Sequence, residues 1–329
     1  MPHSQPQRIR VAFLMRNPKK KLDFRTDVEK TWERIRDVVT WTPLERSPDL
    51  SERYDADVFV KWESEQLTGS FKIRGALSAI RNLPPDVRAR GLVSASTGNH
   101  GLAVAKAASL EQTDLVLFVP ESVSPAKLEK LRRLGITVNI RGASCEQTER
   151  LARAFAGDSG KTYISPYNDI DVILGQGTMA FEIHRDLPGV DAVLVPVGGG
   201  GLAAGIAVYL KSVRPGVRIF GVEPEVSAFM SASIAAARLI EIEEKPTAAD
   251  AVAGGIEPGS ITFGLCREFL DGIITVTETA IAAAVSVLSR DCGRVVEAAG
   301  ALALAGLDSR PEPFHGLKVV LIASGGNAS

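Results

Sequence analysis

Short apolar runs recur along the chain, separated by segments of a different pattern. A strand that is covered on both faces has no polar side, so such runs predict buried strands rather than half-exposed ones. The predicted strands are Asp57–Trp62, Gly91–Ala95, Leu115–Val119, Thr137–Arg141, Ala192–Val197, Arg218–Val222, Ile273–Val276 and Leu317–Ala323.

The segments between these runs favour helices, because their apolar or small residues recur every three to four positions. Near the N-terminus, Thr26 and Glu29 have the spacing of a capping box, which predicts a helix that begins at Thr26. The other predicted helices are Lys127–Leu134, Gln147–Phe155, Gly201–Val213, Ala280–Ser289 and Ala298–Leu307.

Strands that alternate with helices indicate an α/β protein with mainly parallel sheets covered by helices on both faces. The number of strands and the length of 329 residues favour two sheets with a cleft between them. Residues 1–22 show no clear period, and we expect them to form a loose extension.

Composition excludes several classes of partner. The 38 basic residues nearly balance the 39 acidic ones, whereas nucleic acids and anionic membranes require a basic face. The chain has no apolar run of the ~20 residues that span a bilayer, and Val11–Met15 is too short for a secretory signal, so we expect a cytoplasmic protein.

Cysteine and histidine spacing argues against a disulfide framework and against zinc. The residues concerned are widely separated: Cys145, Cys266 and Cys292, and His3, His100, His184 and His315.

The segment TGSFKIRGA places Lys72 directly after Phe71, at the mouth of a helix predicted to begin near Ser70. A helix N-terminus disfavours a cation, so a neutral amine at this position would be a competent nucleophile toward an aldehyde. A solvated lysine on a helix is the ordinary alternative.

The segment SASTGNHG follows the strand that ends near Ala95 and opens a helix. Hydroxyls, an amide and free backbone N–H groups at such a point can bind a carboxylate or a phosphate. A plain helix cap with a tight turn is the alternative.

In the segment VPVGGGGLAAG, four glycines lie between a strand and a helix, where successive N–H groups can hold a phosphate. The same loop also fits the dinucleotide pattern at Gly199, Gly201 and Ala204, with Glu223 about 20 residues later. A nicotinamide-dependent oxidoreductase therefore stays open as an alternative.

These three segments and the C-terminal SGGN, taken in order, resemble the pyridoxal-5′-phosphate (PLP) enzymes of fold type II, and within them the serine/threonine dehydratase and serine racemase group. The intervening TYISPYND and GQGT are similar too. The resemblance implies two open twisted mainly parallel sheets with PLP in the cleft. It also implies a large domain of residues 1–90 and 169–329, a small mobile domain of residues 91–168, and a homodimer.

Carried over to this chain, the resemblance implies that Lys72 holds PLP as a Schiff base and later takes the Cα proton. Phe71 would lie against the pyridine ring, and Ser324 would meet its nitrogen. A neutral hydroxyl does not enforce a protonated ring as an aspartate would, which suits β-elimination.

The other implied roles concern the phosphate, the phenolic oxygen of PLP and the substrate carboxylate. Asn99 would bind the phenolic oxygen. The phosphate would bind backbone N–H groups of Gly198, Gly199, Gly200, Gly201 and Leu202, with Gly255 also at the cofactor, and the carboxylate would bind Ser96, Thr97, Asn99 and His100.

The chain departs from the group's pattern at three places. Thr97 stands where racemases have serine and many dehydratases have alanine. Phe229 stands six residues after Glu223, where the group's optional cation site has an acidic residue, so we expect no metal and regard Glu223 as a weak candidate ligand. Gly254 replaces the acidic residue that often precedes Gly255.

The resulting hypothesis is a dehydratase that converts L-threonine, L-serine or a related β-hydroxyamino acid into a 2-oxo acid and ammonia. Racemisation or β-replacement with the same cofactor is the alternative, as is a PLP-binding or amino-acid-binding protein without catalysis. The chain ends directly after SGGN, so we expect no regulatory domain.

Overall fold

The computed structural model describes residues 22–243 and 245–327. The predicted loose extension at residues 1–22 lies outside these residues, except for its last position.

Over these described ranges the strands form two sheets, one of six strands and one of four. All neighbouring strands are parallel, except that β1 pairs antiparallel with β2. The order is β1-β2-β10-β7-β8-β9 in the large sheet and β5-β4-β3-β6 in the small one. The strands are β1 Leu44–Arg46, β2 Asp57–Trp62, β3 Leu92–Ala95, β4 Leu115–Val119, β5 Thr137–Ile140, β6 Thr162–Tyr163, β7 Ala192–Pro196, β8 Arg218–Pro224, β9 Gly272–Val276 and β10 Lys318–Ala323.

Helices cover both faces of the sheets, as predicted for this α/β class. They are α1 Phe24–Ile35, α2 Pro48–Tyr54, α3 Lys72–Arg81, α4 Pro85–Arg88, α5 Asn99–Leu110, α6 Pro125–Arg132, α7 Cys145–Ser159, α8 Ile170–Asp186, α9 Gly201–Val213, α10 Phe229–Ala235, α11 Ile261–Phe269, α12 Glu278–Asp291 and α13 Ala298–Ser309. Within the described ranges, no helix is both long and apolar enough to cross a membrane.

The eight predicted strands are present: β2 and β4 have the predicted bounds, and the other six differ by one or two residues at one end. The predicted capping box at Thr26 is wrong, because Asp23 is the N-cap of α1. The Asp23 carboxylate accepts hydrogen bonds from the backbone N–H and the hydroxyl of Thr26. An aspartate is at least as good a cap as threonine, and it lies one turn earlier. α3 begins at Lys72 rather than near Ser70.

Four fully buried charged side chains connect β2, α3 and α8. The guanidinium of Arg74 donates to Glu63 at 2.7 Å and to Glu182 at 2.6 Å, and Lys61 Nζ donates to Glu182 at 2.5 Å. All four side chains have no exposed surface, and two positive charges balance two negative ones. Such a cluster tolerates no missing member, because a buried charge without its partner is costly. It therefore fixes the first turn of α3, where Lys72 lies.

Glu182→Gln should lower the free energy of unfolding by about 3 kcal/mol, the usual cost of breaking a buried ion pair from one side. Arg133→Ala, which removes the exposed Arg133–Glu129 pair, should change it by less than about 0.5 kcal/mol. Urea denaturation of the two variants and the parent measures both effects, and equal midpoints for all three proteins would contradict the role of the cluster.

Candidate active site

The first and last predicted segments lie side by side. Ser70 forms an isolated antiparallel bridge with Gly325, and the Phe71 N–H donates to the Ser324 carbonyl at 3.1 Å. This contact brings the start of α3 to the carboxyl end of β10, which is where ligands bind in parallel sheets. Lys72 and Ser324 therefore share one cleft although they are far apart in sequence.

Lys72 is the first residue of α3, and its amine is partly removed from water. Nζ donates to the Pro166 carbonyl at 3.0 Å and lies 5.1 Å from the centroid of the Phe71 ring. Burial lowers the pKa of Lys72 to about 8, although the negative charge of Glu297 opposes the shift. An amine with such a pKa is uncharged far more often than a surface lysine, as a nucleophile requires.

The second segment forms the loop between β3 and α5, whose N-cap is Gly98. The Ser96 hydroxyl accepts the Gly98 N–H at 3.1 Å, which folds the loop back toward the helix. The first N–H groups of a helix have no partner within it, so the start of α5 can bind a carboxylate.

His100 points into the protein. Its Nε2 lies 3.0 Å from the Ser94 hydroxyl and 3.2 Å from the Ile164 carbonyl, and burial, together with the charge of Lys72, lowers its pKa to about 3. The ring is therefore neutral, and the backbone N–H of His100 can contribute to an anion site at the start of α5.

Asn99 is held by two residues to which the sequence reasoning assigned no role. Its Nδ2 donates to Glu297 Oε1 at 2.6 Å, and its Oδ1 accepts from Asn327 Nδ2 at 2.8 Å. Asn327 also donates to the Thr68 carbonyl at 2.7 Å. These contacts fix which side of the Asn99 amide donates. Asn327 lies in the SGGN motif, whereas nothing in the local sequence marked Glu297.

The four glycines form the turn between β7 and α9. Gly200 has a φ of +84°, which favours glycine, and a β-carbon on Gly199 would lie 2.4 Å from the Tyr167 ring. Among the described residues, none accepts a hydrogen bond from the N–H groups of Gly198, Gly199 or Gly200. With the first N–H groups of α9, which include Gly201 and Leu202, the turn offers a row of donors for a phosphate.

Ser324 and Gly255 are the other two residues that the resemblance assigns to the cofactor. Ser324 is buried at the end of β10, with its hydroxyl 3.5 Å from the Ala299 carbonyl. Gly255 follows Gly254, whose φ of +109° requires glycine, and a β-carbon on Gly255 would lie 3.6 Å from the Phe229 ring. The hydroxyl of Ser324 is a neutral group.

Glu223 binds the backbone instead of a ribose or a metal. Its two carboxylate oxygens accept the N–H groups of Met230 at 2.8 Å and Ser231 at 2.9 Å, at the start of α10. Burial raises its pKa to about 7. No group of three potential metal-ligating residues occurs in the described part of the chain. The dinucleotide interpretation needs the Glu223 carboxylate to bind a ribose, but this carboxylate already binds the backbone of α10.

Comparisons with known proteins agree with this geometry. The family model described as pyridoxal-phosphate dependent enzyme matches residues 35–325. An L-threonine ammonia-lyase of Thermotoga maritima is 38% identical over 301 residues, which cover 92% of this chain and 75% of that protein. Threonine dehydratase 1 of Solanum lycopersicum is 39% identical over 89% of this chain, which spans only 49% of its length.

Two solved structures are similar over nearly the whole chain. The processed form of threonine deaminase isoform 2 from Solanum lycopersicum gives a TM-score of 0.87 at 32% identity, with 92% of this chain and 88% of that chain covered. Maize serine racemase gives a TM-score of 0.88 at 31% identity, with 93% and 94% covered.

The two mainly parallel sheets and their cover of helices place the chain in the class of fold type II PLP enzymes. The chain belongs to the pyridoxal-phosphate dependent enzyme family, and it is an enzyme that uses PLP. The family, fold and cofactor predicted from the four motifs are thereby confirmed. The residues fit the cofactor, because a partly dehydrated amine and a row of backbone donors without protein acceptors suit its aldehyde and its phosphate.

The attachment of PLP to the apoenzyme should accelerate with pH up to about pH 8, because only the neutral Lys72 amine attacks an aldehyde and its pKa is about 8. Each unit below the pKa should slow the reaction about tenfold. Stopped-flow absorbance near ~410 nm, where bound PLP typically absorbs, measures the rate. A rate that still rises steeply through pH 10 would indicate an ordinary surface amine instead.

Proposed function

We propose that this enzyme converts L-threonine, and also L-serine, into the 2-oxo acid and ammonium by β-elimination. The observation that carries the proposal is the Lys72 amine, partly dehydrated and held at the Pro166 carbonyl close to the charge of Glu297. The threonine ammonia-lyase and threonine deaminase relatives support the reaction and the substrate.

PLP, when bound, supplies an aldehyde for the substrate amine and a conjugated ring that draws electrons from Cα. Lys72 would hold PLP through its amine in the resting enzyme, and the substrate amine would release it. The released Lys72 amine would then take the Cα proton while the β-hydroxyl leaves as hydroxide, so that proton and hydroxide together amount to one water. Water releases ammonium from the unsaturated product and leaves the 2-oxo acid.

The loop of Ser96, Thr97 and Asn99 is proposed to hold the substrate carboxylate, together with the backbone N–H of His100. The free N–H groups at the start of α5 and the partial positive charge of the helix support this assignment. A carboxylate fixed there would set the position of Cα relative to Lys72 Nζ, so that proton transfer needs no large movement.

Asn99 is proposed to bind the phenolic oxygen of PLP through its amide, while Gly198, Gly199, Gly200, Gly201 and Leu202 bind the phosphate. Phe71 would pack against the ring, Gly255 would let the cofactor approach the backbone, and Ser324 would meet the ring nitrogen. Since Ser324 is neutral, it does not stabilise a protonated ring and hence a long-lived negative charge at Cα. Elimination is favoured over racemisation because the leaving hydroxyl removes that charge at once.

The small domain of residues 91–168 is proposed to close over the substrate against the large domain of residues 1–90 and 169–329. Several ion pairs join the two parts, and two of them reach the same loop: Arg153 lies 2.6 Å from Glu257, and Lys127 lies 3.7 Å from Asp250. Both acidic residues lie in the loop that carries Gly255. The pairs would hold this loop when the cleft closes.

A homodimer in the cytoplasm completes the proposal. The resemblance to the dehydratase and racemase group supports the dimer, and the three cysteines, all free, are compatible with a reducing compartment. Light scattering after size-exclusion chromatography should give twice the chain mass of 35.1 kDa, and a monomer mass would contradict the dimer.

Incubation of the PLP-loaded enzyme with L-threonine should release 2-oxobutanoate and ammonium in equal amounts, and L-serine should give pyruvate. Lys72→Ala should lower kcat by at least about 10³-fold, since it removes both the point of attachment and the base. Lys30→Ala, which changes an exposed lysine of α1, should retain full activity.

The products separate this proposal from its alternatives. Chiral chromatography that finds D-serine without oxo acid would favour a racemase instead. A coloured protein that yields neither product would be a binding protein without catalysis.

A further inference from the structure

A hydroxyl of α11 forms a hydrogen bond with the backbone of the four-glycine turn. Thr262, in the first turn of that helix, has no exposed surface, and its hydroxyl donates to the Gly199 carbonyl at 2.6 Å. Neither the sequence motifs nor the roles proposed above include Thr262. It lies 63 residues from the glycine that it binds.

A second hydroxyl orients the first. Ser260 Oγ lies 2.7 Å from Thr262 Oγ1, and Ser260 is also buried. A hydroxyl has one proton to donate, and that of Thr262 goes to Gly199, so Ser260 donates to Thr262. One turn further along α11, the thiol of Cys266 lies 3.7 Å from the Gly200 carbonyl.

The Gly199 carbonyl is thus held on the side of α11, whereas the Gly200 carbonyl accepts the Ala204 N–H of α9 at 2.9 Å and has the Cys266 thiol beside it. In a trans peptide the C=O of one residue and the N–H of the next point in opposite directions, and the described chain has no cis peptide bond. Fixing the Gly199 carbonyl on Thr262 therefore directs the Gly200 N–H away from α11. The Gly201 N–H is directed instead by the hydrogen bond of the Gly200 carbonyl to Ala204 within α9.

The turn has little room to rotate out of this arrangement. A β-carbon on Gly199 would meet the Tyr167 ring at 2.4 Å, and one on Gly198 would meet the Val252 backbone at 2.9 Å. A β-carbon on Gly200 would meet both Thr262 and Cys266 at 3.1 Å. Since glycine loses more conformational freedom than other residues when it is ordered, a turn of four glycines gains most from an outside contact that fixes it.

We propose that Thr262, oriented by Ser260, is a positioning residue that sets the direction of the Gly200 N–H group before PLP arrives. This inference rests on the proposed binding of the PLP phosphate by the turn, and it adds the group that orders the turn. Thr262 acts through the backbone of Gly199 and touches neither the substrate nor the reacting atoms. Its loss should therefore weaken PLP binding and leave the chemical step largely unchanged.

Thr262→Val keeps the shape of the side chain and removes the hydroxyl. The Kd of PLP should rise about tenfold or more, because the Gly199 carbonyl loses its hydrogen-bond donor and the glycine turn becomes less ordered. Absorbance titration of the apoenzyme with PLP measures this Kd. The ³¹P NMR signal of bound PLP should shift and broaden. At saturating PLP, kcat should stay within about threefold of the parent, because Thr262 does not contact the reacting atoms.

Three further variants sharpen the test. Thr262→Ser retains the hydroxyl and should restore the parent Kd and ³¹P signal. Ser260→Ala should give a smaller change in the same direction. Thr31→Val removes another buried threonine hydroxyl, which donates to the Asp27 carbonyl in α1, and should leave PLP binding unchanged.

A parent-like Kd and ³¹P signal in Thr262→Val would overturn the inference while leaving the proposed function intact. Should Thr262→Val fail to fold, Ser260→Ala provides the test. A Kd for PLP and a ³¹P signal in Ser260→Ala equal to those of the parent would contradict the inference. A parent protein that binds no PLP would instead refute the proposed function itself.

Discussion

The partial removal of one amine from water is the constraint on which the site depends. Lys72 lies at the start of a helix, against the Phe71 ring, with the Pro166 carbonyl as its hydrogen-bond acceptor. A surface lysine would be protonated and unreactive at neutral pH, whereas this one has a pKa of about 8. The groups around Lys72 keep its amine in this partly dehydrated environment.

Two groups of charged side chains act on Lys72 or on its helix. The buried cluster of Arg74, Glu63, Glu182 and Lys61 connects α3 to α8 and β2 and leaves no net charge. Glu297 contributes a negative charge that limits how far the pKa of Lys72 falls. The amine is thus neither as exposed as a surface lysine nor permanently neutral.

The sequence predicted the strands well because each is an apolar run that ends in a polar or glycine-rich turn. It did not predict α8, which packs against α3 and α9 and has buried residues on most of its surface. Gly175 and Gly205 allow this close approach, since a β-carbon on either would lie within 2.5 Å of a neighbouring backbone carbonyl. A helix with no polar stripe has no amphipathic period to detect.

The site was predictable where its residues fall in consecutive motifs and unpredictable where partners are distant. Lys72, Asn99, the glycine turn and Ser324 belong to motifs, and the structure brings their segments to one cleft. Glu297 and Thr262 stand in segments that look like ordinary helix starts, and only the fold reveals their contacts. His100 is the converse case: it belongs to a motif, yet its side chain faces the protein interior. A position in a motif therefore does not by itself place a side chain in the site.

Peptide mapping by mass spectrometry after borohydride reduction of the PLP-loaded protein tests the central claim most directly. If Lys72 is the dehydrated amine that bonds the cofactor, the reduced adduct will be found at one molecule per chain on the peptide that contains Lys72. An adduct spread over exposed lysines, or one that persists undiminished in Lys72→Ala, would contradict the account.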